Sequence, residues 1–315
     1  MIQALYSHHS LLTTITHFMS LTHYTHCPVC SSENINPLLT VQDHSVSKEE
    51  FVIWQCAHCT VRFTQDVPDE ASIGRYYASQ DYISHSNTDK GLLNKLYQKV
   101  RSYTLSQKAK LITGYTKRQG RLLDIGAGIG AFLSVMKQQG WQVTGIEPDG
   151  VARKNAQELF GLQLEQPDSL HQLEQGTYDA ITLWHVLEHV HQLHQYIEHL
   201  KNLLTPEGKI FIAVPNYNSG DANTYKTYWA AYDVPRHLYH FTPGSVQKLV
   251  EQHGLKITAK KPMWFDAFYI SLLSTKYRGG KTSWVGAGFT GVFSNFSALL
   301  NIDKCSSLIY VVQKA

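Results

Sequence analysis

Three glycines at every second position follow a short apolar segment and form the candidate ligand-binding turn of this chain. Residues 121–130 read Arg-Leu-Leu-Asp-Ile-Gly-Ala-Gly-Ile-Gly, with an acid at the junction. A buried strand that ends in glycines can turn sharply into a helix, and it lets a ligand approach bare backbone. Residues 131–139 are predicted to form that helix. The N–H groups at its N-terminus would favour an anionic group over the turn.

An acid at the end of the next predicted strand narrows the choice of ligand. Residues 141–146 predict this strand, and Glu147 follows it, 23 residues after Asp124. An acid at this place in a βαβ unit accepts hydrogen bonds from both hydroxyls of a ribose. One residue separates the second and third glycines, where the dinucleotide fingerprint has two. The pattern favours a nucleoside without a pyrophosphate; a plain tight turn is the alternative for a glycine triplet alone.

Four of the five cysteines form two Cys-x-x-Cys pairs that are 25 residues apart, Cys27 with Cys30 and Cys56 with Cys59. Each pair can aim two thiolates at one point, and two such pairs complete a tetrahedral structural zinc site. Disulfides are the alternative, but a chain of this length without a secretory signal disfavours them. His58 lies between the second pair of cysteines and is interpreted as a bystander.

Two histidine-rich segments carry the candidate catalytic groups. His185, Glu188 and His189 stand at i, i+3 and i+4, which places them on one face of a helical turn. His237 and His240 follow in a polar loop after the fifth predicted strand. A histidine near its usual pKa suits a general base, and His237 is the principal candidate. With seventeen histidines in the chain, incidental positions or helix packing, for His189 above all, remain the alternative.

Strands and helices alternate around these residues. Further strands are predicted at residues 162–165, 178–184 and 209–214, and helices at residues 150–160 and 191–204. Such alternation predicts a parallel sheet covered on both faces. Ligands bind beyond the carboxyl ends of its strands, where Gly126, Glu147, His185 and Asn216 fall.

The motif Leu123-Asp124-Ile125-Gly126-Ala127-Gly128-Ile129-Gly130, together with Glu147, resembles the class I S-adenosylmethionine-dependent methyltransferases. The resemblance covers about residues 115–262 and the last strand. It implies an α/β fold with a doubly wound, mostly parallel, seven-stranded Rossmann-like sheet, whose last strand inserts antiparallel between strands five and six. It also implies S-adenosyl-L-methionine as cofactor. The implied cofactor-binding residues are Asp124, Gly126, Ala127, Gly128, Gly130, Glu147, Pro148, Asp168, Trp184 and His185.

Two resemblances bear on the acceptor. The segment from His185 to His189 resembles the Glu-x-x-Glu-His element of metal-associated methyltransferases for quinone precursors or RNA ends, with His185 in place of the first Glu. This departure argues against magnesium, although Glu188 with the nearby histidines could hold a transition metal. The loop after strand five, with the zinc ribbon, looks like that of sugar C-methyltransferases. His237 matches their catalytic His, while Arg236 and His240 depart from their pattern, so Arg236 is also a candidate for binding a substrate carboxylate or phosphate.

The C-terminal part contains a long insertion between two predicted strands, residues 255–260 and 307–313. Its aromatic residues, including those of residues 284–300, could form a lid over an apolar acceptor or lie on a membrane surface. Ordinary helix packing against the sheet is the alternative and the simpler expectation.

The sequence also predicts the organisation of the chain and its partners. We expect an N-terminal extension at residues 1–20 with translation starting at Met1 or Met19, a zinc ribbon at 21–70, a helical connector at 71–114, and a methyltransferase domain at 115–315 with a helical insertion at 262–306. The net charge of +3 disfavours a nucleic-acid partner. No apolar run is long enough to span a bilayer, which favours a cytoplasmic enzyme acting on a small-molecule acceptor. An RNA methyltransferase and a non-catalytic binding protein are the alternatives, and the oligomeric state is left open.

Overall fold

A six-stranded mixed sheet lies at the centre of the computed structural model, which describes residues 20–77, 92–116 and 119–315, without the side chains of 92–98. The expected N-terminal extension and the choice between Met1 and Met19 fall outside the described residues. The strands are β1 (Leu21–Thr22), β2 (Ile35–Gln42), β3 (Glu50–Cys56), β4 (Arg62–Thr64), β5 (Val67–Pro68), β6 (Arg121–Ile125), β7 (Gln142–Ile146), β8 (Tyr178–Trp184), β9 (Leu204–Pro215), β10 (Tyr239–His240), β11 (Leu255–Pro262) and β12 (Ser307–Lys314). The helices are α1 (Leu92–Thr116), α2 (Ala131–Gln138), α3 (Gly150–Phe160), α4 (Leu193–Leu203), α5 (Gly220–Tyr225), α6 (Pro243–Glu251), α7 (Asp266–Gly279) and α8 (Trp284–Leu300).

The central sheet has the order β11-β12-β9-β8-β6-β7. Strands β7, β6, β8 and β9 are parallel, and β12 pairs antiparallel with both β9 and β11. The expected insertion of the last strand between strands five and six is therefore confirmed. Helices precede or follow each parallel strand, so that the strands are buried on both faces as apolar runs.

The sheet has six strands among the described residues, where the sequence predicted seven. Residues 162–165 make only an isolated parallel bridge, in which Glu165 pairs with Ile146 at the end of β7. Gly161 turns the chain in a left-handed conformation just before this segment, and Pro167 opens a short 3-10 helix just after it. The segment is too short between these breaks to form a ladder, although it lies where a seventh strand would.

The turn between α4 and the fifth strand of the sheet also differs from the prediction. Helix α4 ends at Leu203, and β9 begins at once with Leu204 instead of at residue 209. Residues 205–208 bulge out of the ladder between the pairs that Leu204 and Lys209 form with β8. A Cβ on Gly208 would lie 2.7 Å from the carbonyl oxygen of Tyr178, so glycine allows the backbones to meet after the bulge.

A second sheet joins the cysteine-containing hairpins to the region after strand β9. Its order is β10-β4-β3-β2, and β10 pairs antiparallel with β4 through Tyr239 with Phe63 and His240 with Arg62. The side chain of Gln252, just after α6, also donates to the carbonyl oxygen of Val29 at 2.9 Å. The predicted ribbon thus shares a sheet with the loop that carries His237 and His240, which the sequence placed in a separate domain.

Candidate functional site

The glycine turn has the conformation that its spacing requires. Gly126, Gly128 and Gly130 all have positive φ angles, between 54° and 76°, where other residues are strained. The turn is anchored to the neighbouring strand, because the N–H groups of Gly126 and Ala127 both donate to the carbonyl oxygen of Ile146. A Cβ on Gly126 would lie 2.6 Å from Cγ2 of Val186. The turn therefore packs on the first histidine-rich segment, and Gly126 and Gly128 remain half-buried there.

Glu147 lies across this turn as predicted for a ribose-binding acid. Its Oε2 accepts from the N–H of Gly128 at 2.7 Å, and its Oε1 accepts from the N–H of Asp149 at 2.9 Å. These two hydrogen bonds hold the carboxylate over the second glycine, and each oxygen keeps a lone pair for a ligand hydroxyl. Burial raises the pKa of Glu147, which these N–H donors oppose.

Asp124 supports the turn from inside the protein. Its side chain is buried, and Thr182 Oγ1 donates to its Oδ1 at 2.5 Å. Burial raises the pKa of Asp124 to about 7, while the hydrogen bond from Thr182 and the positive charge of Lys108 act in the opposite direction. The hydrogen bond from Thr182 on β8 thus ties the carboxyl of Asp124 to the neighbouring strand, just before the glycine turn.

The remaining predicted cofactor residues surround the turn at different depths. Pro148 and Asp168 are exposed, whereas Ala127 is buried. Trp184, at the end of β8, is half-buried, and its ring lies 4.1 Å from Nζ of Lys108 on α1. Lys108 is a residue that sequence reasoning missed, because a lysine in a long amphipathic helix looks like any solvated charge.

His185 is held by two carboxylates. Its Nδ1 lies 3.3 Å from Oε1 of Glu188, and its Nε2 lies 3.0 Å from Oδ2 of Asp266 on α7. Burial alone lowers the pKa of His185, but the hydrogen bonds to Asp266 and Glu188 outweigh it and raise this pKa to about 10. His185 is therefore a cation at neutral pH and unsuited to act as a base or a metal ligand. Its backbone has a φ angle of 59°, a strained conformation that is common at functional sites.

Glu188, His189 and His237 converge, although they do so across two segments. One ligand atom of each lies within 4.8 Å of those of the other two. The rings of His189 and His237 meet edge to face with centroids 4.6 Å apart. Glu188 Oε2 is buried and has no hydrogen-bond partner among the described residues. The predicted helical turn is a short 3-10 helix, residues 187–189, and His185 is not part of this cluster.

Backbone carbonyls determine which ring nitrogen of each histidine is basic. His237 Nδ1 lies 2.9 Å from the carbonyl oxygen of Ala231, and His189 Nδ1 lies 3.0 Å from that of Arg236. Because a carbonyl only accepts, both Nδ1 atoms carry the proton and both Nε2 atoms are left as acceptors. Burial lowers the pKa of His189 to about 4, so its ring is neutral at physiological pH.

The ribbon strand β4 holds the loop that carries His237. Thr64 donates its N–H to the carbonyl oxygen of Leu238 at 2.9 Å, and its Oγ1 donates to that of His237 at 2.8 Å. On the opposite side, the N–H of Leu238 donates to the carbonyl oxygen of Glu188 at 2.8 Å. The loop is thereby clamped between the ribbon and the first histidine-rich segment.

Arg236 was a candidate for binding a substrate carboxylate or phosphate. In the structure its guanidinium is bonded within the protein instead. Its side chain is buried and pairs with Asp233 Oδ1 at 2.7 Å and with Asp43 Oδ1 at 3.0 Å. It also donates to the carbonyl oxygen of Tyr76 at 2.8 Å. Asp43 stands on the ribbon side, in the turn after β2, so this ion pair is a second link between ribbon and loop.

His240 lies in the ribbon sheet, away from the histidine pair. Its ring is buried, with Nε2 3.3 Å from Oγ1 of Thr64, and it packs edge to face on Tyr232. Burial lowers the pKa of His240 well below its usual value, so this ring stays neutral. The buried position between Thr64 and Tyr232 favours a packing role over the predicted catalytic role of His240.

The four paired cysteines form one cluster. Cys27 Sγ lies 3.5 Å from Cys59 Sγ, and Cys30 Sγ lies 3.6 Å from Cys56 Sγ, too far for disulfide bonds. These separations are close to the edge of a tetrahedron with Zn–S bonds of about 2.3 Å. Backbone N–H groups point at the first sulfur of each pair, for example Cys30 N to Cys27 Sγ at 3.4 Å. The donor set fits a closed zinc site, and the exposed His58 stands outside the cluster.

Comparison with known proteins identifies the class to which this site belongs. Residues 97–260, just over half of the chain, match the methyltransferase domain family. The chain belongs to this family. The match starts inside α1 and includes the glycine turn, Glu147 and both histidine-rich segments.

Individual relatives cover shorter stretches. An enzyme named ubiquinone biosynthesis O-methyltransferase from Aeromonas salmonicida is 37% identical over 105 residues, which are 31% of this chain and 44% of that protein. An uncharacterized methyltransferase from Alkaliphilus oremlandii is 33% identical over 106 residues, which are 33% of this chain and 49% of that protein. The chain thus spans about half the length of the curated relatives it matches.

A solved structure shares the fold. The magnesium protoporphyrin IX methyltransferase from Synechocystis PCC 6803, solved with bound S-adenosylhomocysteine, superposes with a TM-score of 0.50 at 14% identity and covers 78% of this chain and all of its own. At this identity the likeness supports the fold alone. Among the described helices, none combines the length and the apolar character needed to cross a bilayer.

Proposed function

We propose that this protein transfers a methyl group from S-adenosyl-L-methionine to a small-molecule acceptor, with His237 as the general base. The observation that carries the proposal is the glycine turn with Glu147 bonded across it, packed on Val186 of the first histidine-rich segment. The turn and Glu147 would hold the nucleoside of the cofactor. Family membership and the named relatives support a quinone-type or other apolar acceptor.

Methyl transfer needs few catalytic groups from the protein. S-adenosyl-L-methionine, held by the glycine turn and Glu147, would supply a methyl group on a positively charged sulfur, and its transfer to the acceptor nucleophile would release a neutral thioether. If the nucleophile carries a proton, a base must remove it, and alignment supplies much of the remaining acceleration. His237 Nε2 is suited to this because its Nδ1 proton is fixed on the carbonyl oxygen of Ala231.

Calorimetry with S-adenosylhomocysteine, followed by methyl transfer from labelled S-adenosylmethionine to a panel of phenols, quinone precursors and sugars, tests the proposal. We expect the wild-type chain to bind the nucleoside and the Glu147→Ala variant to bind at least about tenfold more weakly, since two hydroxyl hydrogen bonds are lost. The control is Glu207→Ala, an exposed acid in the bulge of β9, at the opposite end of the parallel strands from the turn. No binding by the wild-type chain would leave a non-catalytic protein with a retained fold.

A second role for the same histidines is a transition-metal site. Glu188 Oε2 lacks a partner among the described residues, and carbonyl oxygens face the Nδ1 atoms of His189 and His237, which leaves both Nε2 atoms to an ion. One carboxylate and two imidazoles suit zinc, iron or nickel better than magnesium. Such an ion would orient an acceptor oxygen and lower its pKa, and His237 would then be a ligand and not the base.

Metal content per chain separates the two roles. A chain whose ribbon alone holds zinc contains one equivalent, and a second site raises this to two. If the second site exists, Glu188→Gln lowers the content from two to one, while Asp266→Asn, which removes a carboxylate from His185 only, leaves it at two. A wild-type content of one equivalent after dialysis against zinc would exclude the metal role and leave His237 as the base.

A further inference from the structure

Helix α8 exposes its large apolar side chains and buries its small ones. Its buried residues are Ala287, Gly291, Ser294 and Ala298. The outward residues are Trp284, Val285, Phe289, Val292, Phe293, Phe296, Leu299 and Leu300, whose side chains are 59% to 78% exposed. A surface helix normally has the reverse arrangement. We call this set of outward residues the apolar face.

Specific contacts hold the helix in this orientation. A Cβ on Gly291 would lie 2.4 Å from the ring of Phe268 on α7, so only glycine fits there. Ser294 Oγ donates to Oδ1 of the buried Asp221 at 2.7 Å and accepts from the N–H of the same residue. Turning the helix to bury its phenylalanines would break this contact and leave Asp221 short of a donor. The exposure of the apolar face is therefore built into the packing of α8 on α5 and α7.

Neighbouring residues extend the apolar face toward the candidate site. Trp264, Phe265 and Tyr269 are also exposed at the start of α7, and the carbonyl oxygen of Trp264 accepts from Asn295 on α8. A contiguous apolar surface of this kind is rare on monomeric proteins and marks a site of interaction. Asp266, between these aromatics, bonds His185 at 3.0 Å.

The charge around the apolar face favours an anionic partner. The sequence contains no Asp or Glu from residue 267 to residue 302. It does contain Lys276, Arg278 and Lys281, at the end of α7 and just before α8, and all three are exposed. Basic residues next to an exposed tryptophan and a row of phenylalanines are typical of helices that lie in the headgroup region of anionic membranes.

We propose that α8 docks on the surface of an anionic lipid bilayer. The helix lies in the plane of the membrane, with Phe289, Phe293 and Phe296 in the acyl boundary and Lys276, Arg278 and Lys281 at the headgroups. Docking places the start of α7, and with it His185, at the lipid surface, from which an apolar acceptor can enter the site. The docking itself does not depend on the proposed methyl transfer.

Co-sedimentation of the full chain with lipid vesicles tests this inference. We expect binding to vesicles of phosphatidylcholine mixed with phosphatidylglycerol, weaker binding to phosphatidylcholine alone, and a decrease with added salt. The double variant F289S/F293S should bind at least about tenfold more weakly, because it removes the apolar area that the two phenylalanines would bury in the bilayer. Leu159→Ser on α3, which removes an exposed leucine far along the chain from α8, should bind as the wild type does.

The double variant substitutes exposed side chains, so its circular dichroism and S-adenosylhomocysteine binding should match the wild type. R278E/K281E should lose the preference for anionic vesicles. Sedimentation velocity without lipid distinguishes a second copy of this chain as the occupant. A concentration-dependent dimer that F289S/F293S dissociates, with no vesicle binding by the wild type, would overturn the membrane proposal, as would equal vesicle binding by the wild type and the double variant.

Discussion

At the scale of single residues, the structure gives different environments to His185 and His237, which look alike in the sequence. His185 is paired with two carboxylates and is a cation, whereas His237 has one nitrogen fixed on a carbonyl and the other left basic. The difference comes from the partners that each ring meets in three dimensions. Two predictions follow from these environments.

Replacing His237 by Ala should lower kcat by about 10²- to 10⁴-fold, the range typical for loss of a general base, for an acceptor whose nucleophile carries a proton. The affinity for S-adenosylhomocysteine should stay unchanged, since the ring of His237 contacts Ala231, His189 and Asp233 and not the glycine turn or Glu147. His171→Ala is the matched control, because His171 is exposed near the sheet. Single-turnover kinetics and calorimetry measure the two quantities, and full turnover by the alanine variant would remove His237 from the reaction.

The ion pairs of His185 should make the free energy of unfolding fall as the pH rises into the alkaline range. The folded-state pKa is raised to about 10, above the unfolded value of about 6.5. The ion pairs of His185 therefore contribute fully to the free energy of unfolding below about pH 6.5, and this contribution is lost as the pH rises through about 10. We expect the gap in urea midpoint between wild type and His185→Gln to shrink from pH 6.5 to pH 10.5. A gap that stays constant over this range would contradict the assignment.

At the scale of elements, the loop between β9 and β10 depends on a buried ion-pair cluster. Arg236 bonds Asp233 within the loop and Asp43 in the turn after β2. The acids hold the guanidinium in its charged form, which raises the pKa of Arg236 further above its usual value. The cluster positions the backbone of the neighbouring His237, and its Asp233 also faces the candidate site, with Oδ2 4.0 Å from Nε2 of His237.

Replacing Arg236 by Met should cost about 3–5 kcal/mol in the free energy of unfolding, because it removes the guanidinium that pairs with the buried Asp43 and the half-buried Asp233. Arg75→Met is the control: Arg75 pairs with Glu49 at the surface, and such a pair is worth about 0–1 kcal/mol. Urea unfolding monitored by fluorescence gives both values. Equal costs for the two substitutions would show that the cluster is not effectively buried.

At the scale of the whole molecule, the ribbon and the methyltransferase fold form one continuous structure. Strand β4 of the ribbon pairs with β10, and Thr64 bonds the backbone of His237. The four cysteines close the hairpins from which β4 emerges. We therefore propose that a zinc ion held by the four cysteines would act on the reaction through the position of His237.

Cys27→Ser should release zinc and lower kcat strongly, while the affinity for S-adenosylhomocysteine falls much less, because the glycine turn belongs to the other sheet. Cys305→Ser, at a buried cysteine outside the cluster, is the control for loss of a thiol. Zinc content, kcat and nucleoside affinity are measured on the same preparations. A zinc-free Cys27→Ser protein with wild-type kcat would show that the ribbon has a different role.

The sequence by itself determined the parts of this protein that local chain chemistry decides. Glycines with positive φ after a buried strand, Glu147 at the next strand end and two Cys-x-x-Cys pairs each depend on a few neighbouring residues, so their spacing was sufficient. The antiparallel place of β12 followed from family resemblance. Residues 162–165 were too short a segment for their pattern to tell a strand from a single bridge.

Only the tertiary structure decided which residues meet. Asp266 lies 81 positions after His185, Asp43 lies 193 positions before Arg236, and Thr64 lies 173 positions before His237. Sequence periodicity does not predict such contacts, because they depend on how sheets and loops pack and not on spacing along the chain. The same holds for α8. Its apolar sequence is typical of a buried helix, and only the structure shows that the small residues Gly291 and Ser294 face the protein.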